Sequence, residues 1–112
     1  MEELIHKLRA FAKERDWEQF HSPKNLAMAL SVEVAEIVEI FQWMTEEESV
    51  SLTPEKLQEL KEEIGDVMIY LTKLADKFGI DLVDAAKKKV EINKKKYPAE
   101  VVRGKSAKYD EY

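Results

Sequence analysis

Two pairs of carboxylates lie inside runs that are otherwise apolar, and a chain that buries those runs must compensate the acids. Glu33 and Glu36 sit in SVEVAEIVEIFQW, and Glu63 and Asp66 in EEIGDVMIY. Each pair is spaced i, i+3, so on a helix both members leave from one face. Val32, Val34, Ala35, Ile37, Val38 and Ile40 surround the first pair, and Ile64, Val67, Met68 and Ile69 the second. A carboxylate in such surroundings is costly unless a cation or hydrogen bonds offset its charge. Two pairs on two helices therefore predict a cage for a hard divalent cation. All-oxygen ligation favours Mg2+ or Mn2+ over Zn2+.

The rest of the chain reads as helices with short connections. Leu4, Ile5, Leu8, Phe11 and Ala12 recur at helical spacing and predict a first helix over about Glu2 to Asp16. Ser22 before Pro23 is a capping residue followed by a proline at the first helical position. That signature starts a second helix, apolar around most of its circumference, running to about Met44 with Leu26, Leu30, Val34, Ile37 and Phe41 on one stripe. Thr53–Pro54 repeats the signature. The third helix runs to about Phe78, stops at Gly79, and carries Leu57, Leu60, Ile64, Val67, Leu71 and Leu74 as its core stripe. Asp81 caps a fourth helix that Pro98 ends, leaving residues 98–112 as an irregular tail. The expected architecture is all-α, a four-helix bundle forming a single domain over residues 1–112.

Composition narrows the function. A net charge of −5 argues against nonspecific binding to nucleic acid or to an anionic membrane. Without cysteine there are no disulfides and no thiolate metal sites, which suits a reducing compartment. MEELIHKLRAF lacks the apolar stretch of a signal peptide, and no run is long enough to span a membrane. The expectation is a cytoplasmic protein with no nucleic-acid or membrane partner. The Glu-x-x-His signature of di-iron bundles is missing, as is any phosphate-binding glycine loop.

Several further residues are candidates with competing structural roles. His21 either packs locally or touches a substrate. Trp17 and Trp43 mark helix ends, where core packing is the better expectation and stacking on a nucleobase the alternative. Tyr70 lies one turn beyond Asp66. In KKKVEINKKK, the last lysines suit a helix C-terminus. Lys89 and Asn93 share a face, with Tyr97 a turn further, and are placed to meet phosphate and base.

Together these segments resemble the all-α nucleoside triphosphate pyrophosphatases, the MazG-like superfamily, whose pattern is ExxE, a spacer, then ExxD. Glu33-Val-Ala-Glu36 and Glu63-Ile-Gly-Asp66 fit it. ERDWEQFHSPKNL, EIFQW, EEIGDVMIYL, the Lys89-to-Tyr97 segment and RGKSAKY are most similar to the dCTP pyrophosphatase branch. Ala35 stands where a glycine is often found between the two acids, and Val32 where many MazG relatives carry another acid.

The resemblance implies Mg2+-dependent hydrolysis of dCTP or a modified dCTP to the monophosphate and pyrophosphate. It implies that Glu33, Glu36, Glu63 and Asp66 hold the metal, with Mn2+ a possible substitute, and that Glu36 and Glu63 are catalytic. It places Trp17, His21, Asn25, Trp43, Tyr70, Lys89 and Asn93 against the nucleotide, and brings Arg103 and Tyr109 over it from the tail. It also implies a homotetramer built as a dimer of dimers, with a dimer in some relatives. The alternatives are the same chemistry on another nucleotide, such as dUTP or a damaged one, and a non-catalytic helical interaction module.

Overall fold

The computed structural model of the chain describes residues 1–104. Every regular element among them is helical. Helix α1 spans Glu2–Glu14 and is followed by a 3-10 turn, Glu18–Phe20. Helices α2 (Pro23–Phe41), α3 (Glu46–Ser49) and α4 (Pro54–Lys77) follow, then α5 (Leu82–Lys96) and α6 (Ala99–Val102). The chain divides into two compact units, Met1–Gly79 and Ile80–Tyr112.

The caps are the ones the sequence predicts. Ser22 Oγ accepts the Asn25 N–H at 3.1 Å, Thr53 Oγ1 the Lys56 N–H at 3.2 Å, and Asp81 Oδ1 the Asp84 N–H at 3.0 Å. Each satisfies a donor that the helix itself leaves unpaired. The acidic connector after Trp43 is more ordered than its composition suggests. Thr45 and Glu48 form a reciprocal capping box that closes α3, and the Thr45 N–H holds the Glu48 carboxyl below its usual range. Helix α1 stops short of the expected Asp16, because that residue takes φ 53 in the left-handed region. Gly79, at φ 63, turns the chain after α4. Ala99–Val102 forms one helical turn following Pro98, where the sequence reading expected irregular chain.

In the first unit, α2 packs along α4 and α1 packs on α4. Among the described residues Leu26, Ile40, Ala12 and Ala75 are the buried apolar ones, with Leu26 only 1% exposed. Arg9 ties α1 to α4 through a bidentate pair with Asp76, at 2.9 and 2.6 Å. The guanidinium lowers the Asp76 pKa in turn.

Half of each long helix lies outside this packing. On α2, Met28, Val32, Val34 and Val38 are exposed; on α4, Leu57, Ile64, Met68 and Leu71 are exposed. Val34, Leu57, Ile64 and Leu71 were expected in the core stripes, and within this chain they are not. The reason lies on the helical wheel: the α2–α4 seam is occupied partly by carboxylates, which rotates these apolar residues outward. Leu26→Ala is expected to destabilise the protein by about 3 kcal/mol, the scale for emptying a buried leucine site. Thr53→Ala should cost about 1 kcal/mol through its lost cap. Denaturant unfolding at fixed protein concentration reads both.

Candidate functional site

The two helices bring three of the four predicted acids together. Glu33 and Glu36 leave α2 one turn apart, and Glu63 faces them from α4. One carboxylate oxygen from each lies within 4.8 Å of the others. All three residues are half-buried. Glu33 Oε2 and Glu63 Oε2 are closed off from solvent and have no hydrogen-bond partner. Orphaned, dry anionic oxygens call for a compensating ion or proton. An all-carboxylate donor set fits a hard divalent cation.

Protons supply part of that compensation when no cation is bound. The facing Glu36 carboxylate is the main cause that pushes Glu63 up to about 7, with burial and Glu33 adding to it. Burial is foremost in raising Glu33, reinforced by Glu36 and by the charge of Asp66. Asp66 is thus close enough to act on Glu33, yet it is outside the three-carboxylate cluster. Its i+3 position sets it about 4.5 Å further along α4 and rotated about 60° from Glu63.

A cavity of ≈ 460 Å³ adjoins the cluster, lined by Glu36, Glu39, Ile40, Lys56, Glu59 and Glu63. Lys56, Glu39 and Glu59 were not singled out in the sequence. The available signal was spacing: Glu39 follows Glu36 by three residues, and Glu59 precedes Glu63 by four, so both continue the faces of the cage. A second cavity of ≈ 270 Å³ lies between α1, the start of α2 and the end of α4, with Leu8, Leu26 and Thr72 in its wall.

The other predicted residues fall in several places. His21 lines the second cavity, where desolvation first, then Lys73 and Lys77, lowers its pKa. Asn25 donates its side-chain amide to the Phe20 carbonyl at 3.0 Å, fastening the 3-10 turn to α2. Trp17 stands edge-on to Phe11 at 5.7 Å. Trp43 is 89% exposed, which overturns the expectation that it packs in the core of the chain. Its position after the end of α2 leaves it nothing to pack against in this unit. Tyr70 is half-buried, with the Lys73 ammonium 5.5 Å from its ring centre. Lys89 and Asn93 lie one turn apart on α5, and Arg103 follows α6 in the same unit. Tyr109 is outside the described residues.

Residues 28–112 match the MazG-like family. The chain belongs to that family. It is similar to dCTP pyrophosphatase 1 of Homo sapiens, at 47% identity over 112 residues, covering 97% of this chain and 66% of that protein. The Bos taurus protein of the same name is 44% identical over 110 residues, covering 96% of this chain and 65% of its own. The chain therefore spans just under two thirds of the length of these curated relatives. Among solved structures, a pyrophosphatase from Archaeoglobus fulgidus superposes with a TM-score of 0.83 at 46% identity, covering 88% of this chain and 92% of that one.

The packing of α2 on α4 sets Glu33 and Glu36 against Glu63, and the repulsion that Glu63 meets there has a measurable consequence. Glu63 binds its proton more tightly folded than unfolded, so its stabilising contribution is full below 4.5 and is lost as pH rises through about 7. In EDTA, the Tm of the MazG-like chain should fall as pH rises across that window. Glu63→Gln, which cannot ionise, should flatten the fall. A Tm as pH-dependent in this variant as in the wild type would contradict the coupling.

Proposed function

We propose that this chain is a Mg2+-dependent nucleoside triphosphate pyrophosphohydrolase that converts dCTP or a modified dCTP to the monophosphate and pyrophosphate. The observation that carries the reading is the convergence of Glu33, Glu36 and Glu63 from two helices, with two dry oxygens left unpartnered. The similarity to proteins named dCTP pyrophosphatase 1 supports the substrate. We read residues 1–112 as a single catalytic domain.

The chemistry follows from charge. A triphosphate and a carboxylate cluster repel each other, and Mg2+ held by Glu33, Glu36, Glu63 and Asp66, with Mn2+ as substitute, would reverse the local sign and neutralise charge on the phosphates. Asp66, outside the three-carboxylate cluster, would be the fourth ligand. Glu36 orients the attacking water and takes its proton as the new phosphorus–oxygen bond forms and the bond to the leaving pyrophosphate breaks. Glu63 fixes the other side of the cage. With its pKa pushed up to about 7, Glu63 would give up a proton as a ligand, so metal binding near neutral pH would release protons.

For the remaining candidates we propose nucleotide contacts. Lys89 and Arg103 meet phosphate, and Asn93 and His21 meet polar edges of the nucleoside. Trp17, Trp43 and Tyr70 supply aromatic faces, and Tyr109 closes over the substrate. Asn25 holds the His21 turn in place, as its bond to Phe20 supports. We also propose a homo-oligomer, a tetramer arranged as a dimer of dimers. The exposed apolar faces of α2 and α4 support it, because a chain of this size gains by covering them. No helix among the described residues is long and apolar enough to cross a membrane, and we place the protein in the cytoplasm on its lack of cysteine.

Pyrophosphate release from a panel of dNTPs and NTPs tests the proposal. Release is expected with Mg2+, fastest for dCTP or a 5-modified dCTP, and none in EDTA. Glu63→Gln should lower turnover by about two to three orders of magnitude, the scale for losing an acid–base group or an electrostatic clamp. Trp43→Ala should weaken nucleotide binding about tenfold, as the loss of one stacked base does. No release from any nucleotide by the folded protein would reject the reading.

A further inference from the structure

We infer that Lys56 is a phosphate-binding residue, which leaves Glu59 and holds the pyrophosphate end of the substrate in the cavity beside the carboxylate cluster. The inference rests on the proposed pyrophosphohydrolase reading and names a residue that reading does not use.

The cavity is the starting point. Its wall includes two members of the cage, Glu36 and Glu63, so it opens directly off the proposed metal. Its volume of ≈ 460 Å³ lies in the range of small-ligand sites. Its polar lining is carboxylate, with Lys56 the one cation among the described residues that line it. A pocket of that composition repels a naked phosphate. One that has the cage metal at one end and an ammonium at the other can take a metal–pyrophosphate.

Spacing on α4 fits this division. Lys56 precedes Glu63 by seven residues, which returns to nearly the same face about 10 Å nearer the start of the helix. A chain of phosphates running from the cage along α4 therefore extends toward Lys56. Tyr70 lies in the opposite direction along the helix, so a nucleoside on that side leaves the outer two phosphates for the lysine.

The lysine is also held in readiness. Its Nζ lies 3.3 Å from Glu59 Oε2, in an i, i+3 pair whose side chains are 46% and 51% exposed. Pairs this open contribute little and exchange easily. Glu59 thus keeps the amine over the cavity at small cost, and a multiply charged phosphate group outcompetes a single carboxylate for it. The flexible lysine stem allows the movement.

A structural role and a phosphate-binding role predict opposite signs for the metal. Lys56 repels any cation in the cage, so removing it leaves Mg2+ binding unchanged or tighter. Removing a phosphate ligand weakens pyrophosphate binding. The test is calorimetric titration of the full chain with Mg2+ alone, then with pyrophosphate at saturating Mg2+, for wild type, Lys56→Met, Lys56→Arg and the control Lys61→Ala, a lysine of the same helix that does not line the cavity. Lys56→Met should weaken Mg-pyrophosphate about tenfold or more, the scale of one charge-assisted hydrogen bond, with Mg2+ affinity retained. Lys56→Arg should recover most of the loss and Lys61→Ala should bind as wild type.

Equal pyrophosphate affinity in wild type and Lys56→Met overturns the inference, as does parallel loss of Mg2+ and pyrophosphate binding. Failure of the wild type to bind Mg-pyrophosphate overturns it too. Nucleotide hydrolysis by the wild type, measured separately, shows whether the pyrophosphohydrolase reading survives such a result.

Discussion

The α2–α4 seam has to accommodate negative charge, and much of the structure follows from that constraint. Helix α2 is apolar enough to be a central element, yet it directs Glu33 and Glu36 toward α4, which answers with Glu63. Glu36 raises the cost of ionising both Glu33 and Glu63. Partial burial of the carboxyls adds to the effect. The seam is therefore strained when empty and is relieved by a proton or a cation. Because the acids stand on helices rather than loops, their separation is set by helix packing.

The acids also explain how the chain packs. Seam positions given to carboxylates are not available to the core, and the buried apolar set among the described residues is correspondingly small: Ala12, Leu26, Ile40 and Ala75. The first unit compensates by laying α1 on α4, joined through Arg9 and Asp76. Residues such as Val32 and Ile64 are left at the surface of the isolated chain, 56% and 53% exposed.

Electrostatics divides α4 along its length. Its middle carries Glu63 and Asp66, its first turns carry Lys56 and Glu59, and its last turns carry Lys73, Asp76 and Lys77. The lysines near the end lower the His21 pKa across the second cavity. The Lys56–Glu59 pair borders the cavity beside the cage. A single helix thus supplies anionic and cationic surroundings within a few turns.

The sequence by itself determined the local structure and the identity of the acids. Ser22–Pro23, Thr53–Pro54 and Asp81 start helices because capping is an interaction between residues three apart, readable along the chain. The i, i+3 spacing put each carboxylate pair on one face for the same reason. Tertiary structure decided what depends on residues far apart. It selected Glu33, Glu36 and Glu63 for the cluster and left Asp66 beside it, because helix packing sets which oxygens converge. It exposed Trp43 and, from the expected apolar stripes, Val34, Leu57, Ile64 and Leu71, since periodicity identifies an apolar face but not what covers it. It also drew Lys56, Glu39 and Glu59 to the edge of the cage. Taken singly along the chain, these are ordinary charged residues; only the packing of α2 on α4 makes them neighbours of a site.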